Sequence, residues 1–174
     1  MYKIALDVDD VLAAFYPEVC KRFGMPEVKT NIWDGKGTCK WIADKFPNLY
    51  YEKEFWENMG VLSNPLSITF DFECYITSIP DFLCEMRVEW LKRHGFPDKP
   101  VVCTNDNKLQ RMKEEGIDIL IDDKPSTIKE VREGGLIGIQ FIPYYMSNYN
   151  ERDPFSIRHL SEVNQIVEEL NYVN

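Results

Sequence analysis

The stretch YKIALDVDDVLAAF, residues 2–15, places three carboxylates directly after a short apolar run. The apolar residues 4–6 predict a buried strand. They are followed at once by Asp7, Asp9 and Asp10. Like charges at this spacing repel one another, and burying them without a partner is costly. The carboxylates are therefore either solvated at the end of the strand or gathered around something positive.

Downstream of this stretch, apolar runs and amphipathic segments alternate along the chain. Short β-branched and aromatic runs predict strands, and apolar residues recurring every three or four positions predict helices. The predicted strands are 73–78, 100–104, 117–123 and 136–141, and the predicted helices are 81–95, 107–116, 125–135 and 157–170. This alternation indicates an α/β protein, in which a parallel sheet is covered by helices on both faces.

Polar residues stand at the ends of four of the predicted strands. In parallel sheets, ligands bind at the carboxyl ends of the strands, which meet at one edge. The polar residues are Asp7, Asp9, Thr77, Ser78, Thr104, Asp122 and Asp123. The sequence therefore predicts a polar site at this edge. Whether Thr77 or Ser78 faces the site depends on the strand register, since a slip of one residue exchanges them.

The composition is ordinary for a soluble globular protein: 174 residues, 44% hydrophobic and 28% charged. A net charge of −9, spread along the chain, argues against binding to a nucleic-acid polymer. No apolar run approaches the roughly 20 residues that span a membrane, and the start MYKIALDVDD lacks the apolar region of a signal peptide. The five cysteines are odd in number and show no C-x-x-C spacing. We therefore expect reduced thiols in a cytoplasmic protein, neither disulfides nor a zinc site.

Carboxylates at two strand ends are the ligands that a hard divalent cation needs. We expect Asp7 and Asp122 to face each other across neighbouring strands, and Mg²⁺ prefers octahedral oxygen ligands at about 2.1 Å. Bound Mg²⁺ would supply the positive charge that the acidic cluster lacks. Lys108, with Lys99 and Lys113 as rivals, would bring an ammonium group to the same edge.

These groups together predict a phosphoryl-transfer site. The Thr77 hydroxyl, the backbone N–H of Ser78 and the Lys108 ammonium would cradle a phosphoryl group. Asp7 would then be the nucleophile and Asp9 the proton shuttle. Taken alone, the D-x-D pattern is better explained by a turn or a helix cap. The second acidic pair, with the threonine and lysine in order, favours catalysis.

Four short motifs in this order resemble those of the haloacid dehalogenase-like (HAD) hydrolases: DVDDV at 7–11, the threonine closing YIT at 75–77, Lys108, and ILIDD at 119–123. A D-x-D start with a later D-D is typical of the phosphatases among them. The stretch ALDVDDVLA, with TNDNK before DILIDDKP, is most similar to the 5′(3′)-deoxyribonucleotidase group. The resemblance implies a Rossmann-like three-layer sandwich with a parallel central sheet and a small helical cap inserted after the first strand.

The resemblance also implies a reaction. Asp7 would attack phosphorus and form an aspartyl-phosphate, and Asp9 would protonate the leaving alkoxide and then activate water. Mg²⁺ would be held by the Asp7 carboxylate, the Asp9 backbone carbonyl and the Asp122 carboxylate. Asp123 would accept a hydrogen bond from a water molecule on the ion. The substrate would be a small phosphorylated metabolite, first of all a nucleoside or deoxynucleoside 5′-monophosphate.

The segment 14–64 lacks the strand–helix rhythm and is rich in aromatic residues. We expect it to form the helical cap over the site, with residues 1–13 and 65–174 forming the core domain. Trp33, Trp41, Tyr50 and Tyr51 are candidates for contact with a substrate base. Large rings also fill the core of a small helical unit, which is the simpler interpretation of any single tryptophan here.

Other functions stay open from the sequence. A different small phosphate ester, such as a sugar phosphate, fits the same catalytic residues. A non-catalytic phosphoacceptor or binding module, such as a response-regulator receiver, also combines Mg²⁺, an aspartate, a hydroxyl and a lysine. Receivers, however, place the phosphorylated aspartate at the third strand, where this chain has VVCTNDN. The sequence is compatible with either a monomer or a homodimer.

Overall fold

A parallel sheet forms the centre of the fold in the computed structural model, which describes residues 2–27, 29, 47–104, 107–146 and 153–173. The strands in this part of the chain are β1 (Ile4–Leu6), β2 (Cys74–Thr77), β3 (Val101–Cys103), β4 (Ile119–Asp122), β5 (Ile137–Phe141) and β6 (Ser156–Ile157). They form one sheet in the order β3-β2-β1-β4-β5-β6, and each neighbouring pair is parallel. The predicted α/β class with a parallel central sheet is therefore confirmed, and β6 is an addition to the predicted strands.

The register of the strands aligns their carboxyl ends. Leu6 of β1 pairs with Tyr75 of β2 and with Ile121 of β4, and Thr77 pairs with Cys103 of β3. Strands β1 and β4 are buried along their whole length, as their continuous apolar runs predict. Because the pairing is parallel, the polar residues that end or follow these strands emerge at one edge of the sheet.

Helices and short turns connect the strands. The described helices are α1 (Phe15–Arg22), α2 (Lys53–Glu57), α3 (Cys84–Arg93), α4 (Lys108–Glu115), α5 (Pro125–Glu133) and α6 (Val163–Val173). The predicted helix 157–170 begins later than expected, because β6 and a 3-10 turn at Leu160–Glu162 occupy its first part. None of the described helices is long and apolar enough to cross a membrane.

The two faces of the sheet carry separate apolar cores. The first face packs against α1, α2, α3 and α6, and the second packs against α4 and α5. Right-handed crossovers place helices on opposite faces when the chain reverses its direction of travel across the sheet. The chain reverses in this way after β3, so α3, with Trp90, lies on the first face and α4, with Met112, on the second. These two helices therefore approach the carboxyl edge from opposite sides.

The segment between β1 and β2 lies on the first face. Its described part contains α1, a 3-10 turn at Pro47–Tyr51 and α2, and the Trp56 side chain belongs to the same apolar core as the sheet. The ends of the segment are close together, since the Ala14 N–H donates to the Gly60 carbonyl at 2.9 Å. The division into a core domain and a 14–64 cap stays a prediction.

Two of the cysteines form a disulfide. Cys84 at the start of α3 is bonded to Cys103 at the end of β3, and their Cα atoms are 6.1 Å apart. The expectation of reduced thiols is therefore wrong for this pair, whereas Cys20 and Cys74 are free. The reason is topological: α3 begins at the carboxyl end of β2, beside the end of the neighbouring strand β3. The cytoplasmic location stays a prediction.

Candidate active site

Three carboxylates meet at the carboxyl edge of the sheet. Asp7 follows β1, Asp122 ends β4, and Asp123 comes next in the chain. All three residues are buried, and a carboxylate oxygen of each lies within 4.8 Å of the other two. The register of β1 and β4 accounts for this convergence, because Leu6 and Ile121 are directly paired.

A buried lysine lies between two of these carboxylates. The Lys108 ammonium is 2.7 Å from Asp7 Oδ1 and 2.6 Å from Asp122 Oδ2. Lys108 is the first residue of α4, whose amino end is capped by Asn107: the Asn107 side chain accepts a hydrogen bond from the Gln110 N–H at 2.9 Å. The second Asp122 oxygen accepts from the backbone N–H at position 124. Of the three candidate lysines, Lys108 is thus the one that reaches the acidic cluster.

Burial and charge perturb both partners of this contact. Burial raises the pKa of the Asp7 carboxyl to about 7, although the Lys108 ammonium opposes the rise. The nearby charges of Asp122 and Asp9 raise the pKa of Asp7 further. Burial alone would lower the pKa of Lys108, but Asp122 and Asp7 more than offset this and raise it above the ordinary lysine value. Lys108 therefore stays protonated at neutral pH.

The acidic cluster has the charge and the atoms to hold a divalent cation. When ionised, the three carboxylates of Asp7, Asp122 and Asp123 carry three negative charges, and the Lys108 ammonium balances one of them. The remaining two charges match a divalent ion, and carboxylate oxygens are the ligands that Mg²⁺ prefers. The residues present therefore fit the Mg²⁺ ion that the sequence predicts.

The carboxylate of Asp9 meets a different cation. Arg87 Nη2 of α3 lies 2.6 Å from Asp9 Oδ1, and the Thr77 hydroxyl donates to Asp9 Oδ2 at 3.3 Å. Sequence reasoning missed Arg87, although a signal exists: it lies four residues after Leu83 and three before Trp90, on the apolar face of the predicted helix. A charge on the buried face of a helix needs a partner.

The two candidate hydroxyl residues at the end of β2 are placed differently. Thr77 is the last residue of the strand and is fully buried, with its hydroxyl on Asp9. Ser78 is exposed and lines the cavity above the cluster. The register therefore directs Thr77 inward and leaves Ser78 at the rim.

A cavity of about 200 Å³ opens above the acidic cluster. Its lining residues are Asp7, Asp9, Asp10, Phe15, Tyr50, Trp56, Ser78, Ile79, Lys108, Asp122, Asp123, Lys124 and Thr127. One wall is aromatic, since the Trp56 ring stacks on Phe15 at 5.8 Å and on Tyr50 at 5.9 Å between ring centroids. The cavity thus joins a charged floor to an aromatic side wall.

The aromatic wall includes Tyr50, one of the candidates named from the sequence, together with Phe15 and Trp56. Trp33 and Trp41 lie outside the described residues. Phe15 and Trp56 were not singled out, because an aromatic-rich segment does not reveal which rings face a cavity. Tyr50 and Tyr51 are neighbouring tyrosines in the same 3-10 turn. Tyr50 lines the cavity, whereas Tyr51 does not.

Asp10 has a local structural role. Its backbone is left-handed, with a φ of 57°, an uncommon conformation for a residue other than glycine. One carboxylate oxygen accepts from the Tyr16 N–H at 2.9 Å, which fixes the turn between β1 and α1. Burial raises the pKa of the Asp10 carboxyl to about 8.

Solved structures share this architecture, whereas no family model and no curated protein matches the sequence. An L-2-haloacid dehalogenase matches with a TM-score of 0.61 and 10% identity, over 96% of this chain and 99% of that one. A HAD-hydrolase, YfnB from Bacillus subtilis bound to magnesium, matches at 0.57 and 16%, over 96% and 98%. A haloacid dehalogenase-like family hydrolase from Xanthomonas campestris matches at 0.60 and 13%, over 99% and 92%.

These similarities extend over nearly the whole of each chain. The protein therefore has a HAD-like α/β fold, which confirms the fold class that the sequence predicts. Identities of 10–16% establish the fold alone, so the chemistry has to be argued from the site.

Proposed function

We propose that this protein is a HAD-type hydrolase that cleaves small phosphomonoesters with the help of Mg²⁺. The observation that carries the proposal is the contact of one buried lysine with Asp7 and Asp122 at the floor of an open cavity. A nucleophilic carboxylate, a phosphate-binding cation and an acidic metal cluster are the three parts that phosphoryl transfer through an aspartate requires.

In this reaction, a carboxylate oxygen of Asp7 attacks phosphorus in line with the ester bond. The P–O bond to the alcohol breaks, and Asp9 gives its proton to the leaving alkoxide. Asp9 then takes a proton from the water that cleaves the aspartyl-phosphate, which releases phosphate and regenerates Asp7. Lys108 orients and neutralises the phosphoryl oxygens, and Ser78, which lines the cavity, would contribute its backbone N–H.

Asp7, Asp122 and Asp123 are the carboxylates that would hold Mg²⁺, together with the backbone carbonyl of Asp9. When bound, the ion neutralises the phosphate and relieves the repulsion between the clustered carboxylates. The grouping of Asp123 with the other two suggests that its carboxylate either binds directly or holds a water molecule on the ion.

The choice of phosphatase over dehalogenase depends on Asp9. A halide ion leaves without a proton, whereas an alkoxide needs a proton donor. Asp9 lines the cavity two residues after the proposed nucleophile, so it supplies a group that ester hydrolysis needs and dehalogenation does not.

We propose a nucleoside or deoxynucleoside 5′-monophosphate as the substrate, in line with the resemblance to the 5′(3′)-deoxyribonucleotidase group. The stacked rings of Tyr50 and Trp56 offer a flat apolar wall beside the charged floor, and base–aromatic stacking tolerates any base. A sugar phosphate is the alternative substrate. Such a small metabolite fits the expected cytoplasmic setting and requires neither a nucleic-acid polymer nor a membrane.

The test is phosphate release from nucleoside 5′-monophosphates, sugar phosphates and chloroacetate-type controls, with Mg²⁺ and with EDTA. We expect Mg²⁺-dependent release that falls roughly 10³-fold or more in Asp7→Asn. Asp71→Asn is the matched control, because Asp71 is an exposed carboxylate that pairs with Lys99 away from the cavity. Halide release without phosphate release would favour a dehalogenase. A lasting aspartyl-phosphate from acetyl phosphate, without turnover, would favour a phosphoacceptor module.

A further inference from the structure

Arg87 is a buried cation with few polar contacts. The residue is 2% exposed, and its guanidinium lies 5.4 Å from the Trp56 ring and 5.5 Å from the Trp90 ring. Within the described part of the chain, Nη1 makes a weak contact with Met59 Sδ at 4.0 Å. Among the described residues, Nε has no hydrogen-bond partner. The two rings flank the guanidinium, and its one strong polar contact with the described residues is the one from Nη2 to Asp9.

This contact pairs the buried guanidinium with the Asp9 carboxylate. Asp9 is the one carboxylate that forms an ion pair with Arg87 within the described part of the chain, and a buried guanidinium without a counter-ion is strongly unfavourable. Arg87 binds Asp9 Oδ1 while Thr77 binds Oδ2. Both oxygens are thus held on the side of α3, and the Asp9 carboxylate does not join the cluster of Asp7, Asp122 and Asp123.

We propose that Arg87 is a positioning residue: it holds the Asp9 carboxylate at the cavity wall, ready for proton transfer and separate from the metal-binding cluster. The chemical role of Asp9 in this inference rests on the proposed function. Without Arg87, an acidic side chain two residues from Asp7 is free to turn toward the metal ion. Proton transfer to Asp9 from the water that cleaves the aspartyl-phosphate then becomes inefficient, although substrate binding is retained.

A double-mutant cycle of Arg87→Met and Asp9→Asn tests this coupling in the full-length protein with Mg²⁺. We expect Arg87→Met to lower kcat about 100-fold and to change KM less than threefold, because proton transfer acts in the chemical step. The same substitution in the Asp9→Asn background is expected to lower kcat less than threefold further. An equal loss in both backgrounds would show that Arg87 acts on packing alone and would overturn the proposal.

The matched control is Arg93→Met, the same substitution on the same helix at an exposed position that does not line the cavity. It should leave kcat within twofold of the wild type. If Arg87→Met does not fold, Arg87→Lys is taken through the same cycle, because a lysine keeps the charge but loses the flat contact with both rings. A loss of kcat in Arg93→Met as large as in Arg87→Met would contradict a specific role for Arg87.

Urea unfolding of the same four proteins gives a reading that does not depend on activity. We expect Asp9→Asn to raise the unfolding equilibrium constant at least tenfold more when Arg87 is present than when it is methionine, since the first case leaves a buried cation unpaired. Equal effects in the two backgrounds would overturn the coupling. An inactive wild type with strong coupling would instead contradict the proposed function and leave the Arg87–Asp9 contact established.

Discussion

Two aspartates separated by one residue meet two buried cations that come from opposite faces of the sheet. Asp7 shares Lys108 with Asp122 on the side of α4, whereas Asp9 is the one described carboxylate that pairs with Arg87, on the side of α3. The Lys108 side, which consists of Lys108 and the carboxylates around it, is rich in negative charge. A phosphate oxygen could therefore replace one of these carboxylates as a partner of the ammonium. The Arg87 side, which consists of Arg87 and Asp9, is balanced in charge, and the Trp56 and Trp90 rings pack against its guanidinium. The comparison teaches that one short motif gives its two aspartates different surroundings by directing them to unlike partners.

The largest effect is expected from Lys108→Met. Removing the ammonium leaves Asp7 and Asp122 facing each other without compensation. We expect a metal-free protein that is about 3–5 kcal/mol less stable and phosphate release that is roughly 10²–10³-fold slower. Urea unfolding and phosphate release measure the two effects.

Mg²⁺ sharpens this prediction. The cluster in Lys108→Met has one more uncompensated negative charge, so Mg²⁺ should stabilise that variant more than the wild type, because a ligand of the folded state adds stability by mass action. Mg²⁺ should stabilise the Arg87→Met variant no more than it stabilises Lys108→Met. Equal stabilisation of Lys108→Met and the wild type would break the proposed contrast between the two sides.

The second prediction concerns the disulfide that bonds α3, the helix of Arg87, to β3. The disulfide joins residues 19 apart in sequence, and closing a loop of this length stabilises a protein by about 3 kcal/mol. The double variant Cys84→Ser and Cys103→Ser should lose about this much in urea unfolding. Dithiothreitol provides the control: it should lower the unfolding midpoint of the wild type and leave that of the double variant unchanged. A wild type that is insensitive to the reductant would contradict the bond.

Tyr50→Ala tests whether the aromatic wall of the cavity contacts the base of the substrate. Loss of a stacking ring is expected to raise KM for a nucleoside 5′-monophosphate about tenfold, while KM for glycerol phosphate, which has no ring, should be unchanged. Tyr51→Ala is the matched control, because Tyr51 is 74% exposed and stacks on Phe82 instead. Equal KM changes for both phosphates would show that Tyr50 does not contact a base.

The smallest effect is expected from the N-cap residue of α4, which precedes Lys108. Asn107→Ala removes the side-chain acceptor for the Gln110 N–H and should cost about 1 kcal/mol. Activity should fall with it, because Lys108 is the next residue. Asn64→Ala removes a similar cap from the 3-10 turn at Pro65–Ser67 and should lower stability without changing kcat. Unfolding midpoints and kcat of both variants separate the two cases.

The Lys108 side of the site follows closely from the sequence. Asp7 and Asp122 end apolar runs, and parallel pairing brings the ends of such runs together, so their proximity needs only the strand order. Lys108 is accessible to the same reasoning because it begins the helix after a predicted strand. Local sequence patterns and the parallel pairing of strands are enough to predict this half of the site.

The Arg87 side depends on contacts that no local pattern encodes. Arg87 and Asp9 are 78 residues apart, and the bond between Cys84 and Cys103 requires knowing which strand neighbours β2. Strand β6 has two residues, too few to show a period. Long-range side-chain pairs and very short elements are therefore determined by tertiary contacts, which no local sequence pattern predicts.

Both borders of the sheet are formed by short strands, three residues in β3 and two in β6. Such borders expose few free N–H and C=O groups, so a second chain gains little by adding a strand to either side. Growth of the sheet from one molecule to the next is disfavoured, which protects the protein against strand-mediated aggregation. Two copies that associate would therefore have to do so through their side-chain surfaces.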